Sequence, residues 1–398
     1  MSALAERVTA PTSTTTATPM ARLLRLSLAQ LVCWAVFYYT FAVVQVPMRQ
    51  ELGWSTTLLS GAFSLTLLVY ALAGPVLGPL FDRRGPWGAM LAGGSAGILL
   101  MVAWSQVTHP LAYVAVMGLL GGAMAACLYE PAFYLVARWY PTRRAKALTV
   151  LTFFGALASP LFMPLTERLC AGLGWRGAVL VLAGLVAVVG VPLLASLPRA
   201  HTPMAAGDPQ RDQRARRVFR ESRFWWLQVG FILVSITAIA VPVHFVPFLV
   251  ERGESLAFAA GCAGSIALVG IAGRLAFGLC GDGRGLIVLT VTVFVLMTVA
   301  VILLLTVPGR PGAILFTVVF GLGYGALWPT RAALVARAWS GPTLATVAGI
   351  FALGPNLAKA AAPLLAALIA LAVGLDGAFT ALAALPALGA LAIWRGRI

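Results

Sequence analysis

The sequence predicts an all-α protein that resides in a lipid bilayer, and three observations predict it. The first is composition: of 398 residues 61% are hydrophobic and 10% charged, with a mean hydropathy of +0.94, too little polar surface to clothe a water-soluble globule. The second is that apolar runs of about 20 residues, the length that crosses the hydrocarbon of a bilayer as a helix, recur from Leu26 to Trp394. The third is an internal repeat at a spacing of roughly 200 residues.

Taken in order, the runs predict twelve spans at 26–48, 57–81, 87–107, 111–137, 147–167, 177–197, 224–249, 257–281, 286–307, 312–336, 344–372 and 377–394. They are continuous and rich in Leu, Ala, Val and Gly. The polar and apolar alternation that a membrane β-barrel needs is missing, which leaves helices as the structure that satisfies its own backbone in lipid. Residues 1–21 are rich in Thr, Ala and Pro and predict a disordered cytoplasmic tail with no cleavable signal. The halves predicted are a six-helix bundle at 22–197, a cytoplasmic linker at 198–223 and a second bundle at 224–398.

In the repeat, Pro47, Glu51 and Gly53 fall on Pro247, Glu251 and Gly253, and Gly78, Asp82, Arg84 and Gly85 fall on Gly278, Asp282, Arg284 and Gly285. At a shift of 199 the run Val136-Ala137-Arg138 meets Val335-Ala336-Arg337. Six spans per copy is an even number, so both copies enter the membrane from the same side. Two parallel halves related by an axis along the membrane normal enclose a central cavity and work by rocking between alternately open states.

A net charge of +16 raises the question of nucleic acid, but topology accounts for it. With a cytoplasmic N-terminus, the 28 Lys and Arg divide into 21 on cytoplasmic segments, five on outer loops and two inside helices, a strong positive-inside bias. The cluster Arg211, Arg214, Arg216, Arg217, Arg220 and Arg223 falls in the linker and suits anionic lipid headgroups. No nucleic-acid partner is expected, because the basic patch lacks a soluble binding domain. The five cysteines are scattered without metal-ligand spacing, so neither a metal nor a cofactor is expected.

The run Gly78-Pro79-Leu80-Phe81-Asp82-Arg83-Arg84-Gly85 resembles the G-x-L-x-D-R-x-G loop signature of the major facilitator superfamily, with a degenerate second copy at Gly278 to Gly285. The resemblance covers residues 22 to 398. It implies the major facilitator fold, a monomer in the cell inner membrane, and a conformational latch made by Gly78, Asp82, Arg83, Gly85, Asp282 and Arg284. The basic residues that usually follow are replaced by Pro86 and Trp87.

Three ionisable groups fall deep within spans, where a charge costs several kcal/mol unless it meets a partner or a wet cavity. Glu130 lies eight residues before Arg138, Arg274 lies eight before Asp282, and Lys359 stands between Pro355 and Pro363. They could pair with one another and hold the halves together. Two cations against one carboxylate instead leave a positive cavity that an anionic substrate completes.

Arg274, within Gly270-Ile271-Ala272-Gly273-Arg274-Leu275-Ala276-Phe277-Gly278, looks like the substrate-carboxylate arginine of the monocarboxylate transporter and oxalate:formate antiporter branch. Lys359, in Asn356-Leu357-Ala358-Lys359, sits where the oxalate:formate antiporter has its lysine, and Tyr140 to Leu148 resembles that branch's motif too. The resemblance implies a carrier of small mono- or dicarboxylates, with Arg274 as a two-pronged donor and Lys359 as a point charge.

Tyr38, Tyr39, Tyr129, Tyr324, Trp328 and Asn356 are candidate cavity walls. Glu130 and His244 are candidate proton sites. His244, between Pro242 and Pro247, equally fits a histidine bonded to a helix carbonyl. The alternative function is a proton-driven exporter of drugs or hydrophobic compounds using Glu130. The exporter signature is met only in part, at Gly155, Ser159 and Pro160.

Overall fold

The computed structural model describes residues 18–199, 217–281 and 285–396. Among them are ten helices long and apolar enough to cross a membrane: α1 Pro19–Leu52, α2 Thr56–Arg84, α3 Trp87–Ser105, α4 Pro110–Trp139, α5 Arg144–Ala195, α6 Ser222–Glu251, α7 Leu256–Cys280, α8 Leu286–Thr306, α9 Gly309–Ala338 and α10 Leu344–Arg395. Every predicted span lies within one of these helices or overruns its end by at most two residues, the helices extending up to seven residues further. Two pairs of spans are joined, in α5 and α10, each 52 residues long.

Both joins break at a glycine. Gly174 (φ 70°, ψ 167°) interrupts α5 and Gly374 (φ 75°, ψ 170°) interrupts α10, in a backbone region open to residues without a Cβ. The two positions are 200 apart, so the repeat extends to backbone geometry. It recurs at Gly53 and Gly253, both with positive φ. It recurs again at Ser55 and Ser255, whose hydroxyls accept from Leu58 N at 3.1 Å and Phe258 N at 3.3 Å to cap α2 and α7.

Beside each break an arginine ties three helices together. Arg176 pairs with Glu51 at 3.1 Å and donates to Ser105 O at 2.6 Å and Val107 O at 3.1 Å. Arg252 pairs with Asp376 and donates to Leu304 O at 3.1 Å. Residue 176 is basic and its counterpart 376 acidic, while Glu51 falls on Glu251 and the second copy takes its base from the next residue, Arg252.

Two boundaries differ from the expectation. The helix α1 begins at Pro19, capped by the Thr18 hydroxyl accepting from Ala21 N, so residues 19–21 belong to it and not to a tail. Within the linker, Ser222 and Arg223 already belong to α6, and Arg217 is also described. Residues 1–17, Arg211, Arg214, Arg216, and the latch residues Asp282 and Arg284 lie outside the described residues.

Helices before residue 200 meet helices after it along two seams: α2 packs on α10, and α5 on α7. In the first seam the backbones all but touch. A Cβ on Gly74 would stand 2.8 Å from Gly349 O, and one on Gly78 would stand 2.9 Å from Thr346 Cα. In the second, Cβ atoms on Gly278 and Gly281 would meet Thr149 Oγ1 at 2.6 Å and Ala145 Cβ at 2.7 Å. Both contacts lie at the end of the molecule that carries Asp82, and they close it.

Candidate functional site

Two local irregularities build the first wall of the site. A π-turn at Ala35–Tyr39 resets the face of α1 just where Tyr38 and Tyr39 stand. The helix α4 breaks at Leu128 (φ −84°, ψ −141°), so Tyr129 and Glu130 open a new helical segment, Tyr129–Trp139. The break frees the Cys127 carbonyl, and Gln30 Nε2 donates to it at 2.7 Å.

Aromatic rings pack around this point. Trp34 lies 4.7 Å from Tyr129 and 5.3 Å from Tyr38, and Tyr38 lies 5.0 Å from Tyr39. The Tyr129 hydroxyl occupies the space that a side chain at Gly155 would fill. Gly155, read from sequence as a fragment of an exporter signature, serves here as the seat of that ring.

The opposite wall comes from α7, α9 and α10. Gly270 and Gly273 let α7 lie against α9: a Cβ on Gly273 would meet the Leu322 backbone at 2.9 Å. Arg274 is thereby 9% exposed, and its Nε has no hydrogen-bond partner. Its charge reaches Tyr39 and Tyr129 of the first half and Tyr324 of the second. Thr149 donates to the Arg274 carbonyl at 3.0 Å, fixing α7 to α5 behind the guanidinium.

Tyr324 leads to Trp328, 6.4 Å away between ring centres. Over that indole stands Lys359 Nζ, 3.8 Å from the ring centroid, which also donates to Asn356 Oδ1 at 2.9 Å. All eight residues read from sequence as substrate-binding thus fall along one connected path. Tyr38, Tyr39, Tyr129, Tyr324, Trp328 and Lys359 are half-buried and not sealed. Among the described residues no carboxylate lies within ion-pairing distance of Arg274 or Lys359.

The charge inventory from sequence needs one correction. Arg331, counted there with the cytoplasmic cations, lies inside α9 and is 5% exposed. Its Nη2 donates to Glu130 Oε1 at 2.6 Å, an ion pair that joins the two halves. Glu130 pairs with this residue and not with Arg274 or Lys359. The signal was present in the sequence, since residue 331 falls within the predicted span 312–336, six residues before Arg337. The pair borders a cavity of about 40 Å³ together with Tyr70 and Asn356. Tyr70 and Gln30 were not singled out from sequence either.

His244 sits apart from this path: its Nε2 lies 3.2 Å from the Pro363 carbonyl, bridging α6 and α10. At the closed end, both carboxylate oxygens of Asp82 accept from the first turn of α10, from Ala345 N at 2.9 Å, Thr346 N at 2.8 Å and Thr346 Oγ1 at 2.6 Å. A buried anion on exposed amides at a helix N-terminus is a favourable arrangement. Gly85 (φ 73°) ends α2 one turn later, and Arg83 points outward, exposed.

Comparison with known proteins agrees with this architecture. Residues 26–320 match the family model described as Major Facilitator Superfamily. The chain is 28% identical over 303 residues to monocarboxylate transporter 13 of Bos taurus, across 74% of this chain and 68% of that protein. It is 25% identical over 229 residues to the oxalate:formate antiporter of Oxalobacter formigenes, across 56% of this chain and 53% of that protein. It is 27% identical over 315 residues to an MFS-type efflux pump of Mycolicibacterium smegmatis, across 74% and 71%. In three dimensions it superposes on the fucose:proton symporter FucP of E. coli with a TM-score of 0.78 at 11% identity, over 96% of this chain and all of that one. The sequence signature, the helical architecture and the family match agree, and the chain belongs to the major facilitator superfamily.

Proposed function

We propose that this protein is a secondary active carrier of a small organic anion, a mono- or dicarboxylate, working by alternating access with proton symport or anion exchange. The observation that carries the reading is a pair of cations, Arg274 and Lys359, held deep in the bundle with no carboxylate partner among the described residues. A charge at that depth costs about 3 kcal/mol or more, and a substrate carboxylate is the group that would offset it. The 28% identity to a monocarboxylate transporter and 25% to an oxalate:formate antiporter support the same class.

In this reading the breaks at Gly174 and Gly374 divide α5 and α10, giving twelve crossings in two six-helix bundles, 22–197 and 224–398. Both termini lie on the cytoplasmic side of the inner membrane, where the basic residues concentrate. Arg274 grips the carboxylate with its planar fork, Lys359 adds a second charge, and the tyrosines and Trp328 form the walls. Glu130 and His244 are the groups available for the proton. Asp82 on α10, with Gly78, Arg83, Gly85, Asp282 and Arg284, latches the cytoplasmic end.

The test is uptake of labelled formate, lactate and oxalate into proteoliposomes. Wild-type protein accumulates at least one of them, and Arg274→Ala loses that uptake. Undiminished uptake by the variant would remove Arg274 from the site. The second reading is a proton-driven exporter of hydrophobic or cationic compounds, favoured by the aromatic walls and the related efflux pump. It ranks lower because the exporter signature is met only in part, at Gly155, Ser159 and Pro160. Cells carrying Glu130→Gln would become sensitive to cationic drugs if it held.

A further inference from the structure

The cavity beside Glu130 is lined by one cation, Arg331, and by Asn356, which accepts a hydrogen bond from a second cation, Lys359. Arg331 spends Nη2 on Glu130 at 2.6 Å, while its Nη1 is buried with no hydrogen-bond partner. Asn356 borders the same cavity, and its side-chain oxygen accepts from Lys359 at 2.9 Å. Glu130 therefore pairs with Arg331 alone while Lys359 reaches the cavity wall through Asn356, leaving one positive charge in excess and one Arg331 donor unused. The space, about 40 Å³, holds roughly three waters or one carboxylate group.

The geometry points to a second anion subsite made by Arg331, Lys359 and Asn356, displaced from Arg274 toward the closed end, in which the Glu130 carboxylate is the resident counter-ion that a substrate carboxylate replaces. This rests on the anion-carrier reading and extends it. Arg331 and Lys359 both belong to the second half, in α9 and α10, whereas Glu130 belongs to the first, in α4. Parting the halves at this end tears Glu130 from Arg331, and each charge of a separated buried pair is left without compensation. A carboxylate seated on Arg331 and Lys359 takes over the charge before that separation. The subsite thus couples the presence of an anion to opening of the closed end. Tyr70 on α2 is the remaining titratable side chain whose interaction with Glu130 is resolved.

The experiment uses the full chain in nanodiscs, with sodium formate as probe at constant ionic strength and ligand-dependent thermal stabilisation as readout. Removing the resident carboxylate by Glu130→Gln tightens formate binding by about tenfold or more, the effect of losing one competing charge. The double variant Glu130→Gln with Arg331→Gln carries no net change at the pair, so folding is spared, and it loses the gain. Adding Arg274→Ala to Glu130→Gln leaves the gain in place. An unchanged affinity in Glu130→Gln, or a gain that survives loss of Arg331, overturns the subsite. A gain that vanishes with Arg274→Ala assigns it to the first site and overturns the subsite while sparing the carrier reading. A gain that depends on Arg331, in a protein that transports no carboxylate, keeps the subsite and rejects the carrier reading.

Discussion

Arg274 owes its setting to small neighbours. Gly270 and Gly273 let the backbone of α9 lie against α7, and a Cβ on Gly270 would stand 3.2 Å from Arg274 Nη1. A lysine there keeps the charge and loses the fork, so Arg274→Lys is expected to raise the KM for a carboxylate by about tenfold while retaining residual uptake. At the other end, Asp82 is 2% exposed and accepts three hydrogen bonds from Ala345 and Thr346. Asp82→Asn removes the charge and one acceptor, a loss of about 1.5–3 kcal/mol from the closed state. Spin labels at the exposed positions Thr142 and Ser340, in a cysteine-free background, would report it as a larger long-distance population in double electron-electron resonance.

At the scale of the element, helices in this chain are shaped by where they fail. The breaks at Gly174 and Gly374 need a φ near +70° with ψ near 170°, a region that residues with a Cβ reach only at about 1–3 kcal/mol. Gly174→Ala and Gly374→Ala should each lower the melting temperature in detergent, and by similar amounts. In the double variant the losses should add, because the sites lie in separate halves. The seam between α2 and α10 rests on Gly74 and Gly349, where a Cβ on Gly74 would stand 2.8 Å from a carbonyl oxygen. Gly74→Val is therefore expected to hold the closed end open, lengthening the Thr142 to Ser340 distance with little change in overall folding. The spans themselves were legible in sequence, because a run of apolar residues long enough to cross a bilayer has no other stable state in lipid. The break at Leu128 was not: φ and ψ there answer to Gln30, 97 residues away, which takes up the freed carbonyl of Cys127.

For the whole molecule, the two copies of the repeat are alike in fold and unlike in charge. Arg176 with Glu51 and Arg252 with Asp376 clasp the same corner of each half, residue 176 being basic and its counterpart 376 acidic. The acids are half or more exposed, so the ion pairs themselves contribute little. The carbonyls that the arginines also bind make the larger part, and Arg176→Met and Arg252→Met should each destabilise the carrier more than Glu51→Gln or Asp376→Asn. Thermal melts of the four variants decide the order.

By itself the sequence determined the all-helical membrane class, the positions of the spans, the duplication and the identity of two deep cations, Arg274 and Lys359. Each of these follows from properties local to a stretch of chain: hydropathy over one bilayer thickness, a motif, a repeat. The tertiary structure decided which charges are partners. Arg331 lies 201 residues from Glu130 and meets it at 2.6 Å; its place inside the span 312–336 was legible in sequence, its partner was not. The same holds for Tyr39 and Tyr129 of the first half and Tyr324 of the second, which the charge of Arg274 reaches. Electrostatic pairing in a low-dielectric interior depends on distances of a few ångströms between helices, and those distances exist only once the halves have packed.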